Sequence, residues 1–497
     1  MLKQKFLVHF GSSFTTRIMG LFAGIIVARI AGPEVVGTIA YGTSYVGVWG
    51  FFLGFFGSGH IKLVSEGQDM GKCMSVYTRL FLGSLAIYFA VVSGVFLIQK
   101  YVTPGGFESK TQETVIILLL FVHVFNTFYN YSSTTFTATM EQARANLPMF
   151  LKSIAWQTGR ILVVILGFRA VGLASWNLIV TVLFLPLVYK LIKKYPKADW
   201  DKKLFKKYMG YAVPILLIVV INSIVQYSDK LFLAHYTDTT ELGYYSAAYS
   251  IGGLIILASV SIGNIFFPLF SSLLAQNDWP GVRKKILQYQ EFLSIFVFPL
   301  VCLLALIAGP LLTTVLGTRY EPSIVPFMII GFATYVLVAG MPYGNTITGA
   351  GRFYLNVLIN LLKLMVFVVS ITLFIAPRFL GLGAVGLALN LLVINLLTNV
   401  LYQYFSRRLS GLSFFNLKNL LRYLLVFSLS LGLFLAREYF SRWLSLWWIA
   451  IIPLYLLLIY GVLFALRLFS KDDVTRLLDL VDIKKLFGYV KDELKDK

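Results

Sequence analysis

The sequence contains little acid, cysteine or histidine, and each shortage argues against a class of protein. Charged residues make up 13% of the 497 positions, against about 25% in soluble domains. Two cysteines and four histidines indicate neither a disulfide framework nor a metal site. The phosphate-binding pattern GxxxxGK[ST] and the zinc pattern HExxH are both absent. We therefore expect neither an enzyme nor a transporter driven by its own ATP hydrolysis.

Long apolar runs are abundant instead. Hydrophobic residues make up 58% of the chain, and runs of about 20 residues, enough to cross the bilayer core, recur from end to end. Because these runs are continuous and do not alternate, an outer-membrane barrel is excluded. The sequence predicts an all-α polytopic protein of the cell membrane. We place fourteen spans near residues 9–31, 35–58, 76–99, 114–138, 147–168, 172–192, 209–234, 241–274, 286–308, 324–348, 353–375, 383–405, 419–436 and 444–466.

The net charge of +21 would suggest a nucleic-acid partner in a soluble protein. Here the positive-inside rule explains it, because alternate connections between spans hold about three times as many Lys and Arg as the others. We therefore expect no nucleic-acid partner, and we predict that both termini are cytoplasmic. The most basic connection, residues 189–208, divides the chain almost in half.

A weak internal repeat supports a division into two lobes. Glu34–Gly37 opens the second predicted span, and a similar Thr240–Gly243 opens the eighth, with the glycines 206 residues apart. Six spans in each half would give both lobes the same orientation. The predicted domains are an N-terminal six-helix lobe (1–192), a basic cytoplasmic linker (193–208), a second six-helix lobe (209–406), helices 13 and 14 (407–470) and a cytoplasmic amphipathic tail (471–497).

Polar residues form stripes at helical spacing within several predicted spans. Amides bonding between helices would explain them at about 0.6 kcal/mol each, whereas a water-filled cavity better explains stripes that include a charge. The deep cations outnumber central carboxylates, which favours an anionic ligand. The candidate substrate-cavity residues are Arg17, Arg160, Lys363, Asn126, Asn130, Asn222, Gln226, Asn356 and Asn360.

Asp229 is the one carboxylate well placed in such a stripe, although it lies near the predicted outer surface. It is our candidate for coupling to Na⁺ or H⁺, and no other cofactor is expected. Local pairing with the adjacent Lys230 explains it equally well.

Three segments resemble the polysaccharide (O-antigen, Wzx-like) flippases of the multidrug/oligosaccharidyl-lipid/polysaccharide exporter superfamily. They are Arg17 with Ala28–Gly37, then Tyr211–Pro214 with Asp229 and Leu242–Ala248, and finally Gly349–Arg352. Their order and the 6+6+2 arrangement of spans extend the resemblance over nearly the whole chain.

The resemblance implies a transporter of alternating access with a central cavity between two lobes. Its implied substrate is a polyprenyl-pyrophosphate-linked oligosaccharide, moved from the cytoplasmic to the outer leaflet for surface polysaccharide synthesis. A diphosphate would suit the deep cations, since Arg and Lys pair well with phosphate. Besides membrane lipids, a polysaccharide polymerase or glycosyltransferase is the partner that the resemblance suggests.

Three alternatives stay open at this stage. A lipid II flippase of the same fold would carry an Arg-Asp pair shortly after Arg17, where this chain has Ala23-Gly24. A cation-coupled multidrug exporter would need a buried carboxylate in the N-terminal lobe, and the sequence offers none. A membrane scaffold would have no reason to retain the insertion cost of deep charges.

Overall fold

The computed structural model describes residues 2–195, 198–252, 270–443 and 447–469, and these are helical, with no strand among them. The α-helices of the first part are α1 Leu2–Ala31, α2 Pro33–Gly47, α3 Phe51–Gly54, α4 Phe56–Ser65, α5 Met70–Tyr101, α6 Lys110–Ala138, α7 Gln142–Ile165, α8 Ala170–Leu183, α9 Leu185–Ile192, α10 Lys202–Tyr236 and α11 Thr239–Gly252. Those of the second part are α12 Trp279–Phe292, α13 Phe298–Leu306, α14 Ala308–Leu316, α15 Ile324–Gly349, α16 Phe353–Ile375, α17 Gly383–Ser410, α18 Leu417–Trp443 and α19 Trp447–Ala465.

Ten helical segments of the described chain are long and apolar enough to cross a membrane, and residues Ile449–Ala465 form a shorter apolar helix. The predicted all-α, multi-pass class is therefore confirmed, while the count of fourteen spans stays a prediction. Much of the predicted eighth span (241–274) lies outside the described residues, as does the predicted amphipathic tail (471–497).

The boundary between the first two spans, predicted at 9–31 and 35–58, is confirmed. Helix α1 ends at Ala31 and α2 begins at Pro33. Gly32 between them has φ +83°, a conformation that side chains with a Cβ disfavour. Proline at the first helical position lacks an N–H that would have had no partner there. The connection is one residue long, so the two helices form a tight hairpin.

Cys73, predicted in a loop, lies instead in α5 and is buried. The helix begins earlier than predicted because Asp69 caps it: the Asp69 carboxylate accepts a hydrogen bond from the Lys72 backbone N–H at 2.8 Å. Helix α4 likewise continues to Ser65. The connection between the second and third spans is therefore only four residues long.

The chain forms two compact units. The first is Met1–Ala247 with Ile375–Arg378, and the second is Ala248–Phe374 with Phe379–Lys497. The first unit thus includes α10, the helix that the sequence analysis assigned to the second lobe. Residues 202–208, predicted as linker, form the first turns of α10.

Buried contacts hold the start of α10 against α4, α5 and α6. Leu204 and Tyr208 are buried in one cluster with Leu63 of α4. The Tyr208 hydroxyl lies 2.7 Å from His60 Nδ1, and the Thr135 hydroxyl of α6 lies 3.3 Å from Nε2 of the same ring. Both ring nitrogens are thereby satisfied inside the unit, as a buried imidazole requires.

The N-termini of α2 and α11 approach each other at two glycines. A Cβ added at Gly37 would lie 1.6 Å from the Thr239 carbonyl oxygen, and one added at Gly243 would lie 2.0 Å from the Pro33 carbonyl oxygen. The spacing of 206 residues that relates Gly37 to Gly243 also relates Pro33 to Thr239. The two repeat-matched segments therefore make the same contact reciprocally.

In the second unit, α18 and α19 pack against α12 and α13. Tyr455 of α19 is fully buried and donates to the Pro299 carbonyl oxygen at 3.0 Å. Arg422 of α18 is 0% exposed and pairs with Glu291 of α12 at 3.0 Å. Its guanidinium also donates to the Leu468 carbonyl oxygen at 2.7 Å, so one buried cation joins α12, α18 and the segment after α19.

Candidate functional site

Helix α7 carries two cations on one face of the first unit. Lys152 and Arg160 are eight residues apart, which separates them by about 12 Å along the helix. Lys152 Nζ donates to the Asn126 amide oxygen of α6 and lies 4.8 Å from the centre of the Tyr129 ring. The Tyr129 hydroxyl in turn donates to the Thr181 carbonyl oxygen at 2.6 Å. Lys152 is therefore held by a neutral amide and an aromatic face.

Arg160 reaches from α7 to the first helix. Its Nη2 donates to the Gly20 carbonyl oxygen at 2.6 Å, and its guanidinium carbon lies 5.7 Å from the Trp156 ring centre, within the range of a cation–π contact. The Arg160 Nε–H is buried and has no hydrogen-bond partner among the described residues. Close packing of α1 on α7 at Gly20 and Gly24 permits this approach.

Arg17 lies on α1 one turn before Gly20. Its side chain is exposed. Arg17, Lys152 and Arg160 form no ion pair among the described residues, where the ion pairs all involve other side chains. Helices α1 and α7 therefore present three cations, and the hydrogen bonds of Lys152 and Arg160 go to neutral oxygens. We call these residues the α1/α7 cation set.

The remaining predicted residues of the first unit lie on α6 and α10. Asn130, Asn222 and Gln226 are exposed. Asp229 is buried, and its carboxylate accepts from the Lys230 backbone N–H at 2.7 Å and from Lys230 Nζ at 3.3 Å. The local pair considered in the sequence analysis is thus present, while ion coupling at Asp229 stays a prediction.

The second unit contains the other predicted stripe, on α16. The Asn356 amide donates to the Thr348 hydroxyl at 3.0 Å, and the Asn360 amide donates to the Asn356 carbonyl oxygen at 2.8 Å. Lys363 is half-buried and forms no hydrogen bond or ion pair among the described residues. The Asn356 amide is therefore engaged with the end of α15 and the Asn360 amide within α16, whereas the lysine is available to a ligand.

Sequence reasoning missed Lys152. Its signal is visible in the sequence, since Lys152, Trp156 and Arg160 recur at four-residue intervals and so share one face of a helix. The span predicted at 147–168 places Lys152 within its first two turns, where a lysine can extend its ammonium to water. In the structure it lies about 15 Å along α7, next to Asn126.

The connection between α6 and α7 is anchored at Glu141. This carboxylate accepts hydrogen bonds from Arg144, from Tyr195 and, at 2.8 Å, from Lys194. Partial burial alone would raise the pKa of Glu141, but the bonds from Lys194, Tyr195 and Arg144 outweigh it and lower the pKa to about 2. The basic linker is thereby tied to the end of the helix that carries Lys152.

Comparison with known proteins gives two sequence matches. A family model described as polysaccharide biosynthesis protein matches residues 26–325. The chain is also 26% identical over 210 residues to the capsular polysaccharide biosynthesis protein CapF of Staphylococcus aureus. This alignment covers 41% of the chain and 51% of CapF, so the chain matches about half the length of that curated relative.

Two solved structures share the fold over most of the chain. The lipid II flippase MurJ, in an inward closed conformation, superposes with a TM-score of 0.72 at 16% identity, covering 93% of this chain and 98% of MurJ. An inward-facing multidrug resistance MATE family transporter of the MOP superfamily gives 0.64 at 13% identity, covering 80% and 94%. At such identities the likeness concerns the fold alone.

Proposed function

Because the chain belongs to the polysaccharide biosynthesis protein family, whose model matches residues 26–325, we propose that it is a flippase for a lipid-linked oligosaccharide. The substrate is a polyprenyl-pyrophosphate-linked glycan, moved from the cytoplasmic to the outer leaflet. The name of CapF, a capsular polysaccharide biosynthesis protein, supports a glycan cargo, and the fold that the chain shares with MurJ and a MATE transporter supports a membrane transporter.

The observation that carries the proposal is the α1/α7 cation set. An isolated cation near the middle of a membrane-spanning helix costs about 2.5–3.5 kcal/mol on insertion scales. A carbonyl or an amide oxygen offsets only part of this cost, because neither brings a countercharge. A diphosphate supplies the missing negative charge and several acceptor oxygens at once.

The three cations offer different contacts to such a ligand. Lys152 uses one of its three N–H donors on Asn126. Arg160 holds Gly20 through Nη2 and keeps a free Nε–H. Arg17 is exposed and has no partner among the described residues, so its planar fork is free to bind a phosphate through two parallel bonds. In the second unit, the unpaired Lys363 serves the same class of ligand.

Coupling to an ion gradient is assigned to Asp229. Its carboxylate is buried and carries a single neighbouring cation, Lys230. Binding of Na⁺ or a proton would compete with this pair. Replacement of Asp229 by Asn should therefore weaken gradient-driven transport while the protein stays folded. Transport rates that still vary with pH or sodium as in the parent would remove Asp229 from the mechanism.

The test of the proposal measures flipping of a polyprenyl-pyrophosphate-linked oligosaccharide in proteoliposomes. Loss of one charge-assisted hydrogen bond, worth about 1.5–3 kcal/mol, should weaken substrate binding by about 10-fold to 150-fold. We expect this loss for Arg17→Ala, Lys152→Gln and Lys363→Ala at unchanged protein yield. Arg17→Lys should restore part of the activity, because the charge returns without the fork.

The matched control is Lys193→Gln, which removes an exposed cation of the linker and should leave flipping unchanged. Lipid II and a cationic drug are tested in the same vesicles. Preferential movement of either would replace the proposed substrate. Full oligosaccharide flipping by all three charge variants would refute the role of the cations.

A further inference from the structure

A pocket of about 670 Å³ lies wholly within the second unit. This volume falls in the range of sites that hold small molecules, about 300–1,000 Å³. Its walls come from the end of α12, from α15, α17 and α18, and from the connection that precedes α18. None of the predicted substrate-cavity residues lines it, so it is separate from the site described above.

One wall presents a buried donor without a partner. Asn419 is 4% exposed, and its Oδ1 accepts from Arg422 Nη1 at 2.8 Å. Because an arginine can only donate, this bond fixes which end of the amide faces Arg422. The Nδ2 group then faces away, and it has no hydrogen-bond partner among the described residues. Buried amide donors are rarely left unsatisfied, so the pocket favours a ligand with an acceptor at this position.

The pocket is cationic. Arg407, in the last turn of α17, is among the residues that line it, and no Asp or Glu is among those described. Gln403, Asn416, Tyr335 and Tyr423, whose side chains carry amides or hydroxyls, also line it. A single cation surrounded by neutral hydrogen-bonding groups suits a phosphate monoanion with a polar substituent.

Large apolar side chains at the same pocket are exposed. Tyr404 is 55% exposed, Phe415 63% and Leu420 40%, and all three line the pocket. In a membrane protein such side chains meet acyl chains. The neighbouring Arg408 and Lys418 lie between the spans predicted at 383–405 and 419–436, and the charge of this predicted connection indicates the cytoplasmic side, where anionic lipids are concentrated.

We propose that this pocket binds the headgroup of an anionic phospholipid of the cytoplasmic leaflet. The phosphate accepts from Arg407 and from Asn419 Nδ2. The polar part of the headgroup is held by the remaining amides and hydroxyls, and the acyl chains run along Tyr404, Phe415 and Leu420. Because Asn419 also holds Arg422, an occupied pocket stabilises the junction of α12 and α18.

The test uses the purified full-length protein in detergent and its thermal unfolding in the presence of phosphatidylglycerol or phosphatidylcholine. Phosphatidylglycerol should raise the melting temperature of the parent protein, and phosphatidylcholine should not. Arg407→Gln removes one charged hydrogen bond, so about tenfold or more phosphatidylglycerol should be needed for the same effect. The matched control is Arg408→Gln, which removes the adjacent exposed cation outside the pocket and should respond like the parent.

A second variant is designed to keep the fold while replacing the hydrogen-bond donor of the pocket with an acceptor. Asn419→Asp retains the oxygen that accepts from Arg422 and replaces the free donor with a negatively charged oxygen. Its melting temperature without lipid should be preserved, while the response to phosphatidylglycerol should disappear. Parent-like responses in both Arg407→Gln and Asn419→Asp would overturn the proposal. A stronger response to a polyprenyl phosphate than to phosphatidylglycerol would also overturn it and assign the pocket to a transport substrate. Neither readout depends on flipping activity.

Discussion

The reciprocal contact between α2 and α11 makes Gly37 intolerant of any side chain. The Cβ of Gly37→Ala would lie 1.6 Å from the Thr239 carbonyl oxygen, whereas ordinary contact begins at 3.4 Å. The two helices must therefore separate by about 1.8 Å. The obstacle is backbone, which cannot rotate away as a long side chain would.

Overpacking of this kind costs about 1–3 kcal/mol, and the rigid obstacle places Gly37→Ala toward the upper end. Helix propensity acts in the opposite direction, because Ala is favoured over Gly within helices by about 0.5–1 kcal/mol. A net loss can thus come only from the contact with Thr239. We expect the purified variant to melt at a lower temperature than the parent.

The matched control is Gly83→Ala in α5, where an added Cβ would meet nothing within 4 Å. It should melt at the same temperature as the parent or higher. Gly243→Ala should behave like Gly37→Ala, and the double variant should lose less than the sum, because the first substitution already separates the helices. Equal melting temperatures for Gly37→Ala and Gly83→Ala would refute the reasoning.

Three further predictions concern the connections and the second unit. Since the pKa of Glu141 falls from 4.5 to about 2, its contacts stabilise the protein above pH 4.5. Glu141→Gln should therefore have a lower melting temperature than the parent at pH 7, and the difference between the two melting temperatures should shrink as the pH falls toward 2. Cysteines introduced at the exposed positions Asn277 and Asp199 should react only with a reagent that reaches the cytoplasm, and one at the exposed position Asp238 should react from outside. Labelling of all three from one side would contradict the topology. The two native cysteines are buried. Arg422→Met leaves the partly buried Glu291 carboxylate, which is 29% exposed, without its cation and should lower the unfolding free energy by about 1.5–3 kcal/mol, whereas parent-like unfolding would show that the pair carries no stability.

The fold class could be predicted because its signals are local. Runs of apolar residues show the membrane-spanning helices, and the first of them ends at Ala31 both in the prediction and in the structure. The resemblance to a polysaccharide biosynthesis family is likewise confirmed by the family match, and the predicted fold is confirmed by the superposition on MurJ and a MATE transporter. Helix ends were less accurate, since the cap at Asp69 depends on one hydrogen bond that an apolar run does not reveal.

Contacts between distant segments could not be predicted. The spacing that relates Gly37 to Gly243 was visible as a repeat, but a repeat does not indicate that the two segments pack on each other. The assignment of α10 to the first unit depends on Tyr208 meeting His60, 148 residues away. Lys152 was missed because its depth follows from where α7 begins. The predicted roles of Arg17, Lys363 and Asp229 stay predictions that the variants above test.

The neutral partners of the α7 cations have a consequence for how the protein is made. A helix with two inward cations inserts poorly by itself, since each adds about 2.5–3.5 kcal/mol near the membrane centre. The acceptor for Arg160 lies on α1 and the acceptor for Lys152 on α6, and both helices are synthesised before α7. Because α1 and α6 precede α7 in the chain, we expect the groups that stabilise this predicted span to reach the membrane before it does. Biogenesis of this helix therefore depends on the earlier ones, and a truncation that removes α1 should leave α7 outside the bilayer even though its own sequence is intact.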